Sequence, residues 1–178
     1  MSPDQAKRLA ALEPAQVEAS VEDWKLTSLV ARKTELEKAM KALESTGKYG
    51  VGLLKASIFD VSEYTEGTGF KATVFNSTKK TIKYVTFTVV GLNAVGDPVR
   101  GGFARSAPAP MLRGIGPIEP GETATYSKDY MWMTDVVESF RISSIKLEYT
   151  DGSSKVVSDV RNVRLSAQDY ETLAADDD

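Results

Sequence analysis

Cysteine and histidine are both missing from this chain of 178 residues. Without cysteine there is no disulfide framework, no thiolate nucleophile and no thiolate zinc site. Without histidine, the usual general base near neutral pH and the commonest transition-metal ligand are gone. The two absences argue against an enzyme, and the sequence offers no catalytic residue, metal site or cofactor motif. Zero cysteine suits a cytoplasmic protein and an exported bacterial one equally well. Long apolar runs are also lacking. No stretch approaches the 18 or so consecutive apolar residues of a membrane-spanning helix, and residues 1–20 hold no apolar core of the signal-peptide kind. Nor is there strong charge of one sign. Lys and Arg number 22 against 25 Asp and Glu, for a formal charge of −3, which does not suit a nucleic-acid or anionic-membrane partner.

What is present is ordinary for a folded domain. Hydrophobic residues make up 42% and charged residues 26%, so wholesale disorder is not expected. The length fits one domain with an appendage. The densest β-branched and aromatic run is Gly69–Asn93. Phe70, Ala72 and Val74 alternate with Lys71 and Thr73, the period of a strand with one buried face. A second strand follows, with Val85, Phe87 and Val89 on one face and Ile82 and Tyr84 on the other. The two are expected to pair as a hairpin through Asn76-Ser77-Thr78-Lys79-Lys80.

Before this run, residues 3–46 read as helix. Pro14 should break or restart it, and Gly47 should end it in a left-handed turn. Val17, Val21, Trp24, Leu29, Leu36, Met40 and Leu43 fall near three- and four-residue spacing, interrupted by Ser28 and Arg32. This stripe, Trp24 included, is expected to pack on the chain's own sheets or on a neighbouring helix; the alternative is a partner-binding or self-pairing arm. Val51–Phe59 reads as a strand entering the sheet, and Val99 begins a short edge strand.

Residues 101–121 are rich in glycine and proline and hold neither period for long, as expected of a long connection. Glu119-Pro120-Gly121-Glu122 reads as a type II turn into a strand. Phe140–Tyr149 is the last long strand. Its inward residues change parity, which one extra residue at Ser143-Ser144 would reconcile. Thr150-Asp151-Gly152-Ser153 then turns the chain into a closing strand from Lys155, with Val163 and Leu165 extending that edge. The expected organisation is a helical arm over 1–47, an Ig-like antiparallel two-sheet sandwich of about seven strands over 48–165, and an acidic tail over 166–178.

The order and spacing of two blocks carry a resemblance. One runs from Asn76-Ser77-Thr78 through Ile82-Lys83-Tyr84-Val85 to Asn93 and Asp97. The other runs from Gly116-Pro117-Ile118-Glu119-Pro120-Gly121-Glu122 through Trp132 to Tyr149-Thr150-Asp151-Gly152-Ser153. Over residues 52–160 the chain is similar to bacterial Ig-like sandwich domains of the FxLYD type, although it lacks a cysteine before the last long strand. The helical arm falls outside the likeness. The resemblance implies an exported, non-enzymatic domain, periplasmic or on the cell surface.

Two clusters are candidates for partner binding. Arg105, Met111 and Arg113 would form a basic and apolar tip on the 101–121 connection. Tyr130, Met131, Trp132 and Met133 form a tetrad of the bulky side chains that binding hot spots favour, though the same tetrad would also plug one end of a sandwich. Asp129, Asp135 and Glu138 lack the Asp-rich loop that calcium needs. The leading expectation is a non-catalytic protein-binding or scaffolding domain of the bacterial envelope, its partner held by the arm or the 101–121 segment. A self-assembling subunit joined through the helix and a small-ligand-binding domain are the alternatives.

Overall fold

A computed structural model of the chain describes residues 14–62, 65–102, 106–166, 168, 169 and 171. It is mainly β: a long N-terminal helix, then eight strands among the described residues, arranged in two antiparallel sheets of three and five strands. The helix α1 runs unbroken over Pro14–Gly47. Pro14 occupies its first position, where the missing N–H costs nothing, and no Gly or Pro interrupts 15–46. Residues 3–13 lie outside the described residues. The left-handed residue that ends the helical segment is Gly50 (φ 86°) and not Gly47; the Gly50 N–H donates to the Thr46 carbonyl at 2.9 Å.

Strands β1 (Gly52–Asp60), β2 (Thr68–Phe75) and β6 (Thr123–Trp132) make the smaller sheet in the order β1-β2-β6. In the larger sheet, β3 (Ile82–Leu92) pairs along one side with β7 (Ser139–Tyr149), which pairs with β8 (Ser154–Val157). Along its other side β3 takes β4 (Pro98–Val99) at one end and β5 (Met111–Ile118) for most of its length.

The expected hairpin therefore does not form. β2 and β3 belong to different sheets, and residues 76–80 cross from one to the other. The crossing is pinned by Asn76, which is fully buried. Its Nδ2 donates to the carbonyls of Lys80 (2.9 Å) and Ile118 (2.8 Å), and its Oδ1 accepts from the Thr78 N–H and hydroxyl. A bulge between Ile82 and Tyr84 turns Ile82 inward beside Val85, whereas the simple alternation put it on the opposite face.

The 101–121 segment is also not a loop throughout. Its second half is β5, an edge strand with Leu112 and Ile118 facing the core. Pro117 is tolerated there because β5 pairs on one side only. Tyr126 of β6 lays its ring where a Gly114 side chain would project.

Other local expectations stand. Gly121 takes φ 82° and Glu122 donates to the Glu119 carbonyl at 3.1 Å, the geometry of the Pro-Gly turn. The register of β3 on β7 passes from Thr88↔Ser144 to Val89↔Ile142, so Ser143 is the extra residue. Its hydroxyl donates to the Thr88 carbonyl at 3.1 Å. Gly152 (φ 82°) turns β7 into β8. Val163 does not extend that edge: the chain makes one 3-10 turn over Val160–Val163, and the Leu165 N–H then donates to the Leu53 carbonyl of β1 at 2.9 Å.

The core lies between the sheets. Phe70 and Val74 of β2, Phe87 and Val89 of β3, and Ile145 and Leu147 of β7 are fully buried. Each such side chain contributes roughly 1.5–3 kcal/mol by leaving water. Phe70 stands at their centre, edge-on to Phe87 at 6.3 Å and to Phe140 at 5.3 Å.

Candidate functional site

Strong helix formers keep α1 continuous for 34 residues, about 51 Å at 1.5 Å per residue. Among the described residues it meets the sandwich near its C-terminal end. Ala39 and Thr46 are fully buried there, the Ser77 hydroxyl donates to the Thr46 carbonyl at 3.1 Å, and Gln168 and Asp169 reach Glu35 and Lys38. Farther toward its N-terminus four large side chains face solvent: Trp24 is 55% exposed, Leu26 67%, Leu29 64% and Val30 60%, while Val21 is half-buried. The expectation that this stripe packs on the chain's own sheets is thus met only in the last turns.

Leu26, Leu29 and Val30 lie close together on the helix surface, since residues three and four apart share a face. Lys33 and Glu37 flank them and pair loosely at 3.9 Å, both well exposed. Met40, 57% exposed, continues the apolar surface toward a groove of about 520 Å³ between the end of α1 and the 76–80 crossing. Among the described residues no helix is long and apolar enough to cross a membrane.

The residues singled out in the sequence fall in separate places. Arg105 lies outside the described residues. Met111 and Arg113 are exposed on the outer face of β5. The Arg113 guanidinium sits 4.0 Å from the Tyr84 ring centroid and 3.8 Å from the Glu148 carboxylate. Glu148 also accepts a hydrogen bond from Lys146 at 3.0 Å, and chiefly that contact holds its carboxyl below the usual range, with the charges of Lys146, Arg113 and Lys83 adding to it. Arg113 is therefore one member of a small surface network spanning β5, β3 and β7.

The tetrad divides. Met131 and Trp132 have no exposed surface, and Trp132 packs where side chains at Gly91 and Gly101 would otherwise stand. They close one end of the sandwich and present nothing to a partner. Tyr130 and Met133 are half-buried; Tyr130 takes φ 49° and covers Gly67. Asp129, Asp135 and Glu138 do not converge into a metal-holding group. The exposed helix face was the feature the stripe disguised, because its spacing reads the same whether a partner is present or not.

No family model matches this chain. No curated protein matches it either. Two solved structures are distantly similar in fold: the putative ApaA protein from Bordetella pertussis, 14% identical over 61% of this chain and 87% of that one, with a TM-score of 0.33, and a second structural-genomics target, 12% identical over 61% and 80%, also with a TM-score of 0.33. Likeness at this level carries no argument about what the chain does.

Proposed function

We propose that this is a non-catalytic protein-binding domain of the bacterial cell envelope, in which the sandwich is the base and α1 the arm that holds the partner. One observation carries the reading: Trp24, Leu26, Leu29 and Val30 are exposed on a helix whose contacts with the sandwich, among the described residues, lie at its far end. An apolar helical surface of this kind suits docking against a helix or groove of another protein. The extracytoplasmic setting and the absence of catalysis rest on the resemblance of residues 52–160 to FxLYD-type exported domains, and on the lack of His and Cys.

The test uses the full chain and a variant carrying Leu26→Glu, Leu29→Glu and Val30→Glu. These positions are exposed, so the variant should unfold at the same urea concentration as the parent. A photo-crosslinker at Trp24 should capture a discrete partner from envelope extracts, and the purified partner should bind the parent at least tenfold more tightly than the variant. Equal binding by both proteins would remove the arm from the reading. Capture of other copies of the same chain, with a concentration-dependent dimer in light scattering, would replace it with self-assembly through α1.

A further inference from the structure

The smaller sheet ends at β1, and the outer edge of that strand is almost bare. Among the described residues its only cross-strand partner is β2, apart from one parallel bridge between Leu53 and Arg164. There the chain lays itself beside β1, the Leu165 N–H bonding the Leu53 carbonyl, and then leaves. From Lys55 to Asp60 the edge has no neighbouring strand among the described residues. Backbone N–H and C=O groups along such an edge are a template for another strand, and folded proteins usually cover or blunt it.

The opposite sheet is short on the same side. β8 pairs with β7 only from Ile145 to Glu148, so among the described residues β7 has no strand partner on that side from Ser139 to Ser144. A groove of about 600 Å³ lies between these two unpaired edges. Its floor is apolar: Ala56 and Ile58 of β1 and Phe140 of β7 belong to the core layer, yet all three are only partly buried. A strand added beside β1, about 4.8 Å away, would lie over them.

Charge gives the groove its preference. It continues along β7 into a second hollow, and Arg164 lines both. Among the described residues Arg164, and Arg141 in the second hollow, have no ion pair, whereas Arg161 beside them is matched by Asp159. Lys55 stands on the rim as well; the opposing carboxylates are Glu138 in the groove and Asp60 at the far end of the edge. On a chain with a net charge of −3 this is a locally basic strip.

We propose that the β1 edge from Lys55 to Asp60 accepts an extended acidic peptide of a partner protein as an added strand, its alternate apolar side chains covering Ala56, Ile58 and Phe140 and its carboxylates reaching Arg141 and Arg164. Main-chain pairing supplies the affinity and the side-chain positions the selectivity, as in other cases of strand addition. This surface is separate from α1, so either reading can fail without the other.

The experiment selects displayed random decapeptides against the full chain and measures the winners as synthetic peptides. Winners should alternate apolar with polar residues and carry Asp or Glu. They should bind at least tenfold more tightly than scrambled versions and slow amide exchange at residues 55–60. Arg141→Glu with Arg164→Glu should weaken them at least tenfold, while the triple Glu variant of α1 leaves them unchanged. Failure to enrich alternating acidic peptides, indifference to scrambling or to the charge reversal, or protection confined to α1 would each overturn the proposal. So would β1 amides already protected in a concentration-dependent dimer, which would give the edge to a second copy.

Discussion

Trp132 fills the space in front of Gly91: a Cβ built on that glycine would stand 2.7 Å from Cε2 of the indole and 2.8 Å from Nε1. The contact joins the two sheets, since Gly91 lies on β3 and Trp132 ends β6. Glycine is needed here for its missing side chain, not for an unusual backbone angle. Gly91→Ala should therefore push the indole off its seat and destabilise the fold by roughly 1–3 kcal/mol, the usual cost of overpacking. Urea unfolding of the two proteins, with unchanged dependence on denaturant, would measure it.

The same tryptophan carries a penalty of its own. Its Nε1–H is buried and has no hydrogen-bond partner among the described residues. An orphaned buried donor costs about 1–3 kcal/mol. Trp132→Phe removes that donor along with some packing, so the two effects offset and the loss should stay under about 1.5 kcal/mol. Trp132→Ala leaves a cavity and should cost about 3–5 kcal/mol. Similar losses from both substitutions would show that the indole N–H is satisfied in solution.

Asn76 should be harder to replace than any exposed residue of the crossing. Asn76→Ala strands the Ile118 carbonyl, which its amide otherwise satisfies, and takes one of two donors from the Lys80 carbonyl, which keeps the Thr78 hydroxyl. A loss of roughly 2–3 kcal/mol is expected, within the range for buried unsatisfied groups. Asn76→Asp keeps the size and the acceptor but lacks both donors, so it should do no better near neutral pH. An Asp variant as stable as the parent would overturn this account.

These residues also show what the sequence made legible. Alternation found most strands, and the parity change in β7 located its bulge at Ser143, because both are local consequences of a strand with one wet face. Partners were not local. Asn76 looked like the corner of a hairpin, but it bonds Ile118, 42 residues away, and no short-range signal tells a hairpin from a crossing between sheets. β5 was hidden by Gly114, Gly116 and Pro117, which break a propensity pattern yet suit an edge strand roofed by Tyr126. The candidate site was least visible. Met131 and Trp132 looked like anchors and are core, whereas the edge of β1 is made of backbone groups that every residue carries.

Asp151 gives the fold one pH-dependent contact. Lys80 bonds its carboxylate at 2.7 Å, and the Ser153 hydroxyl and backbone N–H add to that, so its carboxyl is held well below the usual range. In the unfolded chain the same group titrates near about 3.9. A depressed folded value means the contribution is whole above that pH and is lost as pH falls toward the lower folded value. The gap in urea midpoint between the parent and Asp151→Asn should thus be present at neutral pH and narrow below about pH 4. High salt should narrow it as well, because the pair is exposed and screened. A gap that ignores both pH and salt would assign the effect to the turn and not to the ion pair.

The two tryptophans report on the two parts of the molecule separately. Trp24 is more than half exposed on α1, and Trp132 is sealed in the sandwich. Trp132→Phe should leave a single red-shifted emission that acrylamide quenches freely; Trp24→Phe should leave a blue-shifted one that it barely reaches. Ala39 is the hinge of the comparison, because it is fully buried where the helix meets the sandwich. Ala39→Glu should free the arm while the sandwich stays folded: exchange should quicken at residues 36–46 and stay slow in β3 and β7, and Trp132 emission should not change. If Ala39→Glu instead unfolds the sandwich, the last turns of α1 belong to the core, and the arm begins closer to Trp24.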